Sequence, residues 1–330
     1  MVGSTTAHVT PEQRDRALSW GAALYAALVV TFVRPSLWVI ALAGFLARGG
    51  LLLLAIPIVV LPTPSGLANT LAGPVASLLF GAPSPTLIAI IVGSVVGGIV
   101  LLLLGTLIGA WAERTVVAVS LEAAAEEGLV PQVAASPRLR AGVGPVAVIR
   151  LLGLVPLGIA LAAAAQPLYD AIYHELVLPD ELRTSLLIRV LRDIPMPLLF
   201  IGVNLLLGDA AAAIGVRRLL LEGRSIPEAW LLGWLGLARR WYRVLPTALA
   251  STAMVGVLVG PAIVAAAVGW DRLRALLIEA RDPVATTAGL ALFVAVWFGG
   301  LVLAGAAATF RGAAWTFELV RRPGPSFPGP

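Results

Sequence analysis

From Pro85 to Ala112 the chain carries no charged side chain. A helix of that composition belongs either deep inside a large protein or in a bilayer, whose ~30 Å hydrocarbon core takes about 20 residues. Runs of this kind recur six times, at roughly 36–61, 86–110, 146–168, 196–216, 244–269 and 286–309. What remains cannot cover a water-facing surface: 12% of the 330 residues are charged and 59% are apolar, against about 25% charged in a soluble domain. The expected fold class is therefore all-α, a polytopic membrane protein with six transmembrane helices. Pro35 and Pro85 sit at helix starts, where a missing N–H costs nothing. Asp282-Pro283 reads as an N-cap and first-turn proline opening the last span.

Arginine placement sets the expected orientation. All 23 basic residues are arginine; with so much Ala and Gly, this usage points to a high-GC bacterial genome. With the N-terminus inside, the inner segments hold 16 arginines and the outer ones 6, with Arg48 inside a span. Positive charge collects on the cytoplasmic side, so both termini are expected in the cytoplasm, across a bacterial cytoplasmic (inner) membrane. The outer loop 63–84 carries no charge, in agreement. The net charge of +5 is thus a topological signal and not a nucleic-acid one. Leu18–Val33 is apolar but short for a span; it reads as an interfacial helix, the alternative being a seventh span. No small-residue cleavage site follows it, so it is expected to be retained. The expected division is 1–34 as a cytoplasmic N-terminal segment, 35–320 as the membrane domain, and 321–330 as a Pro/Gly-rich cytoplasmic tail.

Three segments align without gaps: "GAWAERTVVAVSLE" (109–122), "DAAAAIGVRRLLLE" (209–222) and "GAAATFRGAAWTFE" (305–318). Each lies where an even-numbered span leaves the membrane on the inner side. "RLLGLVP" (150–156) likewise matches "RWYRVLP" (240–246) at the start of odd-numbered spans. The economical expectation is three helical hairpins joined by cytoplasmic interfacial elbow helices. The third elbow is the most explicit. Ser225-Ile226-Pro227-Glu228 has the form of a capping box. Continued at 100° per residue, Trp230, Trp234 and Trp241 fall on one stripe, with Arg239, Arg240 and Arg243 roughly opposite. Tryptophan favours the headgroup level and arginine reaches lipid phosphates. These six residues form a candidate lipid-headgroup site; the structural alternative is an elbow that only anchors a hairpin.

Catalytic motifs are missing. Without lysine there is no P-loop, without cysteine no thiol nucleophile, and neither H-E-x-x-H nor G-x-S-x-G occurs. His8 and His174 are the only histidines. "HELVLPDE" (174–181) is read as a solvated outer loop in preference to a metal site, and no cofactor is expected. Charges within spans are costly and are functional candidates by default. Arg48 lies about 18 Å into the first span and Asp209 about 12 Å from the inner end of the fourth, with Asn204 deeper. An Arg48–Asp209 ion pair beside Asn204 is the candidate intramembrane polar site. Gly93-x-x-x-Gly97, Gly105-x-x-x-Gly109 and Gly256-x-x-x-Gly260 suit close helix packing.

Two resemblances follow. "EAAAEEG" (122–128) matches the first half of the coupling motif of bacterial ABC import permeases. The continuation I-x-L-P is replaced by Arg138-Leu139-Arg140-Ala141, so the stretch is read as a solvated helix rich in Glu and Ala. More broadly, spans ending in Gly-x-x-Ala and Glu, followed by an elbow such as "EGRSIPEAWLLGWLGLARRWYRVLP", resemble the membrane domain fused to some glycerophosphodiester phosphodiesterases. Related stand-alone bacterial membrane proteins of six helices share the pattern. The resemblance covers about 100–320 and implies a six-helix module in lipid handling or an accessory role. The soluble barrel with its metal-binding His and Glu residues is absent from the sequence, so no hydrolase activity carries over. The expectation is a non-enzymatic integral membrane module that engages membrane lipids, anionic ones included, or a membrane-protein partner. The alternative is a permease or transporter subunit built around Arg48 and Asp209.

Overall fold

The computed structural model describes residues 19–55, 81, 83–129, 139–177, 186–279 and 283–320. Arg14 and Arg16, most of the uncharged 63–84 loop, Arg138, Asp180, Glu181, Asp282 and the 321–330 tail lie outside that set. The described residues are helical, with no strand among them: α1 (Trp20–Val33), α2 (Ser36–Phe45), α3 (Leu51–Ala55), α4 (Pro85–Glu126), α5 (Val143–Gly153), α6 (Val155–Val177), α7 (Leu186–Asp193), α8 (Pro195–Arg217), α9 (Ile226–Arg239), α10 (Trp241–Glu279) and α11 (Pro283–Val320). Six helical stretches are long and apolar enough to cross a membrane: Ser36–Ala55, Pro85–Glu126, Val143–Glu175, Pro195–Glu222, Trp241–Ile278 and Pro283–Val320.

Helix α4 shows how composition sorts a single rod into two environments. Ser84 caps it, its Oγ accepting from the Leu87 N–H at 3.2 Å, and Pro85 occupies the first turn. Its 42 residues are about 63 Å long, twice the thickness of a bilayer core. The first half, including Ile88, Val92, Val96 and Leu103, is exposed all round, as a lipid-facing rod is. The second half, from Gly105 onward, buries one face, including Gly109, Ala112, Glu113, Val116, Val117 and Leu121, while Leu107, Ile108 and Trp111 stay exposed. Helices α8 and α11 repeat this division, burying Gly208 and Ala210–Arg217 and most of Ala304–Glu318. The buried halves are the three similar segments found in the sequence. Val116, Val117 and Leu121 share one core with Ala212, Val216, Phe310, Ala314 and Phe317.

Around these halves, α2 packs along α4, α6 along α8, and α10 along α11; α5 bridges α4 and α8, and α9 lies on α8. Small residues set the closest crossings. A Cβ at Gly105 would come within 2.2 Å of the Ala47 carbonyl oxygen, and one at Gly208 within 2.2 Å of the Gly153 carbonyl oxygen. Of the three G-x-x-x-G patterns, only Gly105 and Gly109 touch another element; Gly93, Gly97, Gly256 and Gly260 have nothing within 4 Å.

Helix α1 has 14 residues, about 21 Å, too short to cross a ~30 Å core. It buries Ala23, Ala26, Ala27 and Val30 on one face, packs against α11 and α4, and is tied to α10 where Trp20 Nε1–H donates to Thr247 Oγ1 at 3.1 Å. The first span is broken. Over Leu46–Gly50 the helix loses its regular geometry, Arg48 having φ −92°, ψ 21° and Gly49 φ 103°. A φ in that region is easy for glycine and strained for other residues, so the Gly49-Gly50 pair places the break one residue after Arg48.

Candidate functional site

The elbow stretch is partly as the sequence suggested. Ser225 and Glu228 form the capping box, the Ser225 N–H donating to Glu228 Oε2 at 3.3 Å. The expected stripe does not continue through it. The helix breaks at Arg240 (φ −132°, ψ 30°), and Trp241 opens the next helix. A 100° repeat holds only along one continuous helix, and the break at Arg240 takes Trp241 off the stripe of Trp230 and Trp234. Trp234 packs against a core of Ile214, Leu237, Val244 and Trp315, whereas Trp241 and Tyr242 are exposed. The indole N–H groups of Trp230 and Trp234 are buried and lack an acceptor among the described residues; the sequence reading had them wet. Arg239, Arg240 and Arg243 are exposed, and the Arg243 guanidinium lies 5.4 Å from the Tyr242 ring centre. Glu126, a possible acidic partner for these arginines, is instead paired with Arg34.

The polar site around Arg48 and Asp209 is larger than the sequence indicated, and its pairing differs. Arg48 does not pair with Asp209. Its Nε–H donates to the Gly44 carbonyl at 3.0 Å, and its Nη1 lies 3.6 Å from Glu113 Oε2. Glu113 also receives a two-pronged contact from Arg150, with Nε to Oε2 at 2.6 Å and Nη2 to Oε1, and a further bond from Arg217 Nη1. Asp209 lies between Arg150, whose Nη1 is 3.0 Å from Oδ1, and Arg311, whose Nη2 is 2.5 Å from Oδ2. Asn204 stays apart, its side-chain N–H donating to the Phe200 carbonyl one turn back at 2.9 Å.

These six charged side chains line one cavity of about 460 Å³, together with Phe45, Leu53, Leu102, Leu205 and Leu206. A volume of that size suits a small-molecule ligand. Spans 1, 2, 3, 4 and 6 each supply a charge, and the fifth contributes Thr252 and Val255 to the wall. Four guanidiniums face two carboxylates, so two positive charges are in excess. The burial is graded. The Arg217 side chain is 1% exposed, Glu113 4% and Arg150 11%, while Asp209, Arg311 and Arg48 are 27%, 33% and 39% exposed. The inner three form a buried knot; the outer three are the more open to the cavity. Two wall residues also carry buried donors with no acceptor among the described residues, Nε of Arg217 and Nε1 of Trp315. Arginine here is a fixed planar donor fork that suits phosphate and carboxylate oxygens.

Glu113, Arg150, Arg217 and Arg311 do not stand out in the sequence because each sits at or near the edge of an apolar run, where a charge is ordinary. A signal was present in the threefold alignment. Glu113 stands opposite Ala213 and Thr309, Arg217 opposite Val117 and Ala313, and Arg311 opposite Thr115 and Gly215. In each case one copy has a charge where the others have a small or apolar residue, as Asp209 does against Gly109 and Gly305.

His174 and Glu175, expected in a solvated loop, instead lie in the last turn of α6. Potential ligand atoms of His174, Glu175 and Asp193 lie within 4.8 Å of one another, with Glu175 buried and the other two exposed. Set against protein-family models, curated proteins and solved structures, the chain matches none of them.

Proposed function

We propose that the chain is a non-enzymatic membrane module that binds an anionic group in the arginine-lined cavity between its spans, as a permease or lipid-handling protein does. The observation that carries this reading is the cavity itself, with two positive charges in excess and donors left without acceptors. Uncompensated charge away from water is expensive. An anion seated between Arg48 and Arg311 relieves that cost, and these two side chains are the most open of the six. Asp209, partly exposed and paired with Arg311, is an internal competitor for that guanidinium. Inorganic phosphate should raise the thermal midpoint of the purified protein in neutral detergent. The Arg48→Gln/Arg311→Gln variant should fold and lose that response. No stabilisation of the unmodified protein by phosphate would count against the site.

The same reading has three consecutive hairpins in a bacterial cytoplasmic membrane, both termini inside, with α1, α5 and α9 lying at the inner interface. It is supported by the packing of consecutive spans on each other and by the arginine distribution. The exposed Arg239, Arg240, Trp241 and Arg243 then meet headgroups on the cytoplasmic side. Reporter tags at residue 5 and after Pro330 should both report cytoplasmic positions. An external N-terminal tag with an internal C-terminal one would make Leu18–Val33 a span and overturn the topology.

A further inference from the structure

The shape of the cavity narrows what the anion is attached to. Its lining combines the charged side chains, of which Arg48 and Arg311 are the most open, with the apolar Phe45, Leu53, Leu102, Leu205 and Leu206. The four leucines are 39–49% exposed, and their chain neighbours Leu101, Leu103 and Leu207, which do not line the cavity, are exposed as well. They therefore form a rim where the cavity wall passes into the outer surface. Helix packing is consistent with an opening there. Helices α4 and α8, which carry Leu102 and Leu205, make no extended contact with each other; α5 bridges them only toward their buried halves. A free inorganic ion has no use for an apolar rim, and an uncharged lipid has none for surplus arginine. We infer that the occupant is an amphiphile with a phosphoryl headgroup, entering sideways from the bilayer between the second and fourth spans. Its phosphate would lie on Arg48 and Arg311 and its chain along Leu102 and Leu205. The inference rests on the anion-site reading above and adds the class of molecule and its route.

The test uses the full-length protein in nanodiscs of phosphatidylcholine containing a minor fraction of phosphatidic acid, the lipid whose headgroup is a phosphomonoester. Native mass spectrometry after release identifies the lipids that remain bound. At about fivefold per open arginine, phosphatidic acid should be enriched roughly 25-fold over its share of the disc. Arg48→Gln/Arg311→Gln should abolish the enrichment. Leu102→Trp/Leu205→Trp fills the rim with side chains suited to a lipid-facing surface and leaves every charge in place. That variant should lose bound lipid yet keep its stabilisation by inorganic phosphate. Phosphate stabilisation without lipid enrichment, or lipid retention indifferent to the tryptophans, would mean that the site takes a soluble anion: the lipid inference falls and the anion reading stands. Equal retention of diacylglycerol, which has the same chains without the phosphate, would reduce the cavity to an apolar slot and also overturn the inference. Absence of both lipid enrichment and phosphate stabilisation would overturn both readings.

Discussion

Glu113→Gln should destabilise the folded protein by on the order of 3–5 kcal/mol, the usual cost of removing one partner from a buried charge pair. The carboxylate is 4% exposed and is shared by Arg150, Arg217 and Arg48. Glutamine leaves two nearly buried guanidiniums facing each other across a neutral amide. With total stabilities of only ~5–15 kcal/mol, the loss should appear as a large drop in melting temperature and in the folded fraction by size-exclusion chromatography. Glu113→Gln/Arg217→Met should recover part of the loss, because Arg217, 1% exposed, is the cation with least access to any replacement partner. Asp209→Asn provides the contrast. Its carboxylate borders the cavity, so the stability cost should be smaller, while removal of the competitor should tighten anion binding. Equal melting behaviour of Glu113→Gln and the unmodified protein would show that the knot is not closed as described.

Gly105→Leu should be nearly as damaging, for a steric reason. The added Cβ would sit 2.2 Å from the Ala47 carbonyl oxygen, a backbone atom that cannot rotate aside. Overpacking costs ~1–3 kcal/mol where side chains can adjust, and this site belongs at the upper end or above. The first span must then move away from the second, and it carries Arg48 with it. Both melting temperature and phosphate response should fall. Gly97→Leu, two turns earlier on the same helix with nothing within 4 Å of its Cβ position, should leave both within the small range of ordinary surface changes. Matching phenotypes for the two variants would sink the idea that this crossing positions Arg48.

The sequence made the six spans and the Ser225 capping box legible because both depend on local pattern: long uncharged runs, and a serine three residues before a glutamate. It located Arg48 and Asp209 for the same reason, as charges visibly inside apolar runs. Their partners were not legible. Glu113 and Arg217 look like loop residues until the helices are seen to continue as buried alanine-rich rods, and a hydropathy profile cannot tell a helix that leaves the bilayer from one that enters a protein core. The break at Arg240 was hidden too. Arg239, Arg240 and the leucines around it favour helix, so the run reads as continuous, although Trp241, Tyr242 and Val244 are weak helix formers and Pro246 follows closely.

The order in which the six charges appear along the chain bears on how the protein can be assembled. A ribosome delivers Arg48, Glu113, Arg150, Asp209, Arg217 and Arg311 in that sequence, so every new cation except the first and last follows directly on an anion already made. The running total alternates between one positive charge and none through the first four spans. It reaches its final excess only when Arg311 arrives with the sixth. During biosynthesis the half-made bundle therefore never has to shelter the full imbalance, and the attraction for an anion is completed by the last helix to be inserted.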